Sequence, residues 1–179
     1  MTLSPEDIYS RAAKIKYLIL DVDGVLTDGR IVLGNYGDEL KFFDIHDGHG
    51  VVMLGRAGVR TLIVSGRKSR INLKRAKEMR VLRVYQNAFD KLKVLEKILK
   101  RYRVSAEEIC YVGDDLIDLP VLSRAGLAVA VRNAVDEVRG AAHYVTERSG
   151  GRGAVREVTD LLLKARGSWD EQTARYLST

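Results

Sequence analysis

The sequence predicts an α/β protein: a central parallel sheet with helices on both faces, and a β-hairpin inserted between the first strand and its helix. Three observations predict it. Short runs that are apolar throughout recur at 17–20, 61–64, 109–112 and 127–131. Helical patterns separate these runs, and strands buried on both faces that alternate with helices make a parallel sheet. One segment, "GRIVLGNYGDELKFFDI", breaks the rhythm with two extended stretches about a turn. At 179 residues and 46% hydrophobic content, the chain suits one domain over 1–179 with a sizeable core.

In chain order, Ser4 caps a first helix, with Pro5 at its first position and Asp7 three residues past the cap. The run at 17–20 is the first strand. The hairpin follows at about 29–46, its turn carried by Asn35, Tyr36, Gly37 and Asp38, and it projects near the carboxyl end of the sheet. A lone hairpin is marginal in water and exposes unpaired edges, so it is expected to pack against other chains. Strand 61–64 precedes a helix over about 69–79. A weaker strand at 82–85 leads to a helix over about 91–102, where Leu92, Leu95, Ile98 and Leu99 form the inward stripe. The runs at 109–112 and 127–131 are followed by helices over about 117–124 and 134–140. A short strand near 144–146 and a helix over about 154–165 complete the domain. The tail, about 167–179, is polar with isolated Trp169 and Tyr176, and is expected to be frayed or docked on a partner.

Thirty Lys and Arg against 24 Asp and Glu give a net charge of +6. That excess attracts anions, from nucleic acid to phosphorylated metabolites, but equally describes a solvated basic surface. Cys110 is the single cysteine, which excludes a disulfide framework or a cysteine zinc site within one chain and suits a reducing compartment. The first sixteen residues lack the apolar core of a signal peptide, and no apolar run approaches the roughly 20 residues that span a bilayer. The expected location is the cytoplasm, with no membrane partner.

The chemistry lies just after the apolar runs. The first ends in Asp21-Val22-Asp23-Gly24, the second in Ser65-Gly66-Arg67, and a later one in Gly113-Asp114-Asp115 with Asp118 beyond. In parallel sheets, ligand sites form outside the carboxyl ends of the strands, so these groups converge on one rim. Clustered carboxylates repel unless a cation sits among them, and oxygen donors without His or Cys favour Mg2+. Lys91, near the start of its helix, brings an ammonium to the same rim. A metal beside basic groups makes a phosphate site. The other candidates read blandly: Asp28 as a turn residue, His46 and His49 as loop or packing residues, Cys110 as core, and one of Asp114, Asp115 and Asp118 as a helix cap.

"DVDGVLTDG", "IVSGR", Lys91 and "YVGDDLIDLP" come in the order of the motifs of haloacid dehalogenase-like phosphatases, over about 18–121. Receiver domains of response regulators share the parts but place their lysine last, which this chain does not. The hairpin segment and "YVTERSGGRGAVREV" further resemble the 3-deoxy-D-manno-octulosonate 8-phosphate phosphatase group. One departure is His46 in "FDIHDG", where that group often has arginine.

The resemblance implies a Rossmann-like three-layer domain with no cap, and homotetramers whose hairpins pack together while a neighbouring subunit helps close each site. It implies an aspartyl-phosphate mechanism on a phosphorylated sugar acid. Asp21 is then the nucleophile, and Asp23 the general acid and base. Magnesium is held by Asp21, the backbone carbonyl of Asp23, and Asp114. Ser65 and Lys91 bind the phosphoryl oxygens, Asp115 and Asp118 orient metal waters or Lys91, and Arg67 and Arg152 grip the substrate carboxylate. A nonulosonate 9-phosphate, another anionic phosphomonoester such as a nucleic-acid 3′-phosphate, and a non-enzymatic assembly role are the alternatives; nucleic acid is not the expected partner.

Overall fold

The computed structural model describes residues 3–177; the last two residues of the predicted tail lie outside the described residues. Helix α1 (Pro5–Ala13) starts on the Ser4 hydroxyl, which accepts from the Asp7 amide. Strand β1 (Tyr17–Leu20) lies at the centre of a sheet with β4 (Arg60–Val64) and β5 (Arg83–Tyr85) on one side. On its other side run β6 (Ile109–Gly113), β7 (Leu127–Ala130) and β8 (Tyr144–Val145). All six are parallel, in the order β5-β4-β1-β6-β7-β8. β1, β6 and β7 are buried at every position, which is why their sequence is apolar without alternation.

Helices cover both faces. α7 (Ala154–Ala165) packs on α1 and on α2 (Ile45–Arg56), while α5 (Leu119–Leu122) packs on α4 (Lys91–Tyr102) and α6 (Asp136–Ala141). α3 (Arg70–Glu78) follows β4 and packs on β5, and α8 (Trp169–Ala174) packs on α7. The apolar face of α4 is the predicted one, with Leu95 and Ile98 buried and Leu92 and Leu99 partly so. The region read as a helix over 117–124 is a 3-10 turn at Leu116–Asp118 followed by the short α5, because Pro120 lies inside it and Asp118 turns its side chain inward.

The strand order reverses about β1 and β6. Strands β4 and β5 lead away on one side and β7 and β8 on the other, which opens a crevice at the carboxyl ends of β1 and β6. The hairpin β2 (Val32–Leu33) with β3 (Glu39–Leu40) rises there as a separate antiparallel pair. Part of the tail docks on its own chain, through α8 and Tyr176. Gln172 is buried, the Tyr176 hydroxyl bonds His49 Nε2 at 2.8 Å and receives Arg56 Nη1 at 2.9 Å, and the Trp169 ring meets Lys164. Those contacts, all within one chain, fix a segment that has little apolar surface of its own.

Candidate active site

The backbone turns sharply as it leaves β1, and two glycines make room. Gly24 has φ +88°, and a Cβ there would stand 1.9 Å from Asp114 Oδ2. Gly150, in the loop before α7, sits against the Gly24 carbonyl, where a Cβ would be 1.7 Å away. No side chain fits at either place, so the loops after β1, β6 and β8 stack directly on one another. The residues after β1 and β6, together with those after β4, line one cavity of about 220 Å³: Asp21, Asp23, Ser65, Gly66, Arg67, Asp114 and Asp115.

At the floor of this cavity is a buried charge network. Lys91, at the first turn of α4, donates to Asp21 Oδ2 at 2.7 Å and to Asp118 Oδ1 at 2.6 Å, with the ammonium wholly enclosed. Asp21 Oδ1 accepts from the Val22 amide at 2.7 Å. Asp118 receives the Tyr111 hydroxyl at 2.5 Å on one oxygen and the Asp114 and Asp115 amides on the other. Burial pushes the Asp21 carboxyl up to about 6, with Lys91 opposing and Asp118 adding to the shift. Burial likewise raises Asp114 to about 7, helped by Asp21 and Asp118. For Lys91, burial pulls downward, yet the two carboxylates hold it above its ordinary value.

One oxygen in this network has no partner. Asp114 Oδ1 is buried without a hydrogen bond, and carboxylate oxygens of Asp21, Asp114 and Asp118 all lie within 4.8 Å of one another. Asp118 takes two donors on each oxygen and Asp21 one on each, whereas Asp114 Oδ1 takes none, so Asp114 and then Asp21 are the better placed to face a cation. Three carboxylates so close together, one with an orphaned oxygen, fit a small divalent ion.

The remaining predicted residues are distributed as follows. Ser65 is buried on the same cavity, its hydroxyl accepting from the Arg67 amide at 3.2 Å. Arg67 is half exposed on the cavity wall, 3.9 Å from Asp23. Asp115 caps the 3-10 turn through the Leu116 amide and does not meet Lys91; Asp118 is the residue that does. Arg152 lies apart, in an adjoining cavity of about 580 Å³ at the base of the hairpin, with Arg30, Phe42, Phe43 and His46. Asp28 accepts from the Arg30 amide and pairs with that side chain, as a turn residue does.

Three residues of the site escape sequence reading. Tyr111 looks like core in "ICYVG", but a fully buried phenol needs a partner, and that requirement points to Asp118. Lys41 and Glu39 come from the hairpin. The Lys41 side chain is wholly buried and donates to Asp23 Oδ1 at 2.5 Å, while Glu39 lies 3.7 Å from both Lys41 and Arg67. Their only signal was charge alternating with apolar residues in "ELKF".

Residues 66–157 match the family of haloacid dehalogenase-like hydrolases. The 3-deoxy-D-manno-octulosonate 8-phosphate phosphatase of Yersinia pestis is 43% identical over 168 residues, covering 94% of this chain and 90% of that protein. A solved structure of a probable phosphatase from Pseudomonas syringae superposes with a TM-score of 0.96 at 44% identity, over 97% of this chain and 99% of that one. Another, a 3-deoxy-D-manno-octulosonate 8-phosphate phosphatase of Moraxella catarrhalis in complex with magnesium, phosphate and the free sugar acid, superposes with a TM-score of 0.95 at 37% identity, over 97% and 99%.

Proposed function

The chain belongs to the haloacid dehalogenase-like hydrolases, among the 3-deoxy-D-manno-octulosonate 8-phosphate phosphatases, and from that premise we propose that it hydrolyses this sugar-acid phosphate to the free acid and phosphate. The observation that carries the reading is the buried rim itself. A carboxylate held by Lys91 stands beside an unpartnered Asp114 oxygen, in a chain that matches these phosphatases over nearly its whole length.

In this reading Asp21, the Asp23 backbone carbonyl and Asp114 hold magnesium, which when bound screens the repulsion between carboxylate and phosphate. An Asp21 oxygen attacks phosphorus, and the bond from phosphorus to the sugar oxygen breaks. Asp23 gives its proton to that oxygen. Asp23 then takes a proton from the water that attacks the phosphorylated Asp21, releasing phosphate and restoring the carboxylate. Ser65 and Lys91 bear the charge on the phosphoryl oxygens, and Asp118 keeps Lys91 aimed at them. Arg67, on the cavity wall, and Arg152, at the hairpin base, are the candidates for the substrate carboxylate.

The hairpin supports assembly into a homotetramer. Leu33, Phe42 and Ile45 are each more than 70% exposed and Tyr36 is 99% exposed, an apolar edge that water disfavours. The cytoplasm is the proposed location; among the described residues no helix is long and apolar enough to cross a membrane. Phosphate release is the test, measured over phosphorylated sugar acids of eight and nine carbons with magnesium and with chelator. Preference for the eight-carbon acid supports the reading, and preference for a nonulosonate 9-phosphate overturns its substrate.

A further inference from the structure

The hairpin is amphipathic the wrong way round for a surface ribbon. Along "ELKF" the pleat turns Leu40 and Phe42 outward, 54% and 72% exposed, and carries Glu39 and Lys41 toward the rim. The Lys41 side chain is fully enclosed although the ribbon that bears it is exposed. A buried ammonium is costly unless paired, and its hydrogen bond goes to Asp23 Oδ1 at 2.5 Å. The nearest other charge is Glu39, 3.7 Å away, whose Oε1 is buried without a hydrogen bond. Arg67 approaches the other Asp23 oxygen at 3.9 Å, too far for a hydrogen bond.

We propose that Lys41 is a positioning residue that anchors Asp23 Oδ1, so that Oδ2 is the oxygen that exchanges a proton with the leaving group. Oδ1 accepts from Lys41 whether or not Asp23 carries a proton, so the acid form holds its hydrogen on Oδ2, the oxygen left without a hydrogen bond. The hairpin then serves the chemistry directly. This rests on the reading of Asp23 as the general acid.

An alkoxide leaving group needs that proton and a nitrophenolate does not, so the acidity of the leaving group separates a positioning role from a structural one. The experiment measures kcat/KM over a series from p-nitrophenyl phosphate to alkyl phosphates, for wild type and for Lys41→Met, Lys41→Gln and Lys41→Arg. Lys41→Met is expected to lose about 100-fold on alkyl phosphates and less than about 5-fold on p-nitrophenyl phosphate, within the range of general acid catalysis. Lys41→Arg should restore most of the loss. On an Asp23→Asn background, Lys41→Met should add nothing. Equal losses across the series overturn the proposal, because Lys41 would then act on the phosphate or on the fold. If Lys41→Met does not fold by circular dichroism, the same slope read on Lys41→Gln decides. A flat series for Asp23→Asn itself overturns the acid role of Asp23 and this proposal with it. A steep series for Asp23→Asn with a flat one for Lys41→Met overturns the proposal alone.

Discussion

The rim and the hairpin break the same rule in opposite directions. At the rim, four charged side chains (Asp21, Lys91, Asp114 and Asp118) are largely withdrawn from water; on the hairpin, Leu33, Tyr36 and Phe42 are pushed into it. The rim settles its cost almost entirely within the chain, since Lys91 bonds two carboxylates and Asp118 takes four donors. What is left over is one Asp114 oxygen, and its deficit is the size of an ion. The hairpin places only its inward face, Glu39 and Lys41, within the chain; its outward face, Leu33 and Phe42, is left to water. The unmet requirement differs in kind: stranded negative charge calls for a cation, and exposed apolar side chains favour contact with other apolar surface.

The largest expected effect breaks the rim chemically. Asp21→Asn keeps the shape and an acceptor for the Val22 amide but removes the nucleophile, and phosphate release should fall by at least about 10^4-fold with an unchanged circular dichroism spectrum. Substantial residual activity in a clean preparation would remove Asp21 from its role. Next is Asp118→Ala, which strands the Tyr111 hydroxyl and two amides and leaves Lys91 with one partner. Unfolding by urea should show a loss of about 3–5 kcal/mol, the usual cost of breaking a buried ion pair from one side. A loss below about 1 kcal/mol would mean that the network is solvated.

A third prediction uses the carboxyls that burial raises, Asp21 to about 6 and Asp114 to about 7 from 3.8 in the unfolded chain. Between pH 4 and 7 the metal-free folded state holds protons that the unfolded state has released, so its stability falls as pH rises through that window. A divalent ion displaces those protons, so magnesium should raise Tm more at pH 8 than at pH 5.5. A metal-free Tm that climbs from pH 5 to 7 would contradict the burial of these groups.

Much of this contrast was legible in the sequence, for reasons that differ by residue. Asp21 and Asp114 stood out because each ends a strand that is otherwise wholly apolar, a place where only function puts acid. Lys91 was found by its place at the start of a helix. Lys41 was not, because its partner Asp23 is eighteen residues away across a ribbon whose fold brings them together. The tail helix α8 was missed for a related reason, since Tyr176 is held by His49 and Arg56, 127 and 120 residues earlier in the chain. Short range patterns reveal what a strand end holds, whereas contacts made by tertiary closure leave only a weak mark on spacing.

The smallest effect on the folded chain should come from the hairpin, and it sharpens the comparison most. Leu33 is 72% exposed and belongs to no buried cluster, so Leu33→Asp removes little packing; unfolding of the isolated chain should shift by less than about 0.5 kcal/mol. Association is another matter. A carboxylate set into an apolar contact between copies must be desolvated without a partner, which opposes assembly far more than it disturbs the chain. Light scattering should therefore find wild type as an oligomer at micromolar concentration and Leu33→Asp as a smaller species with the same circular dichroism spectrum. A fully active wild-type monomer would separate the hairpin from assembly and leave only its inward face, Glu39 and Lys41, with a task at the rim.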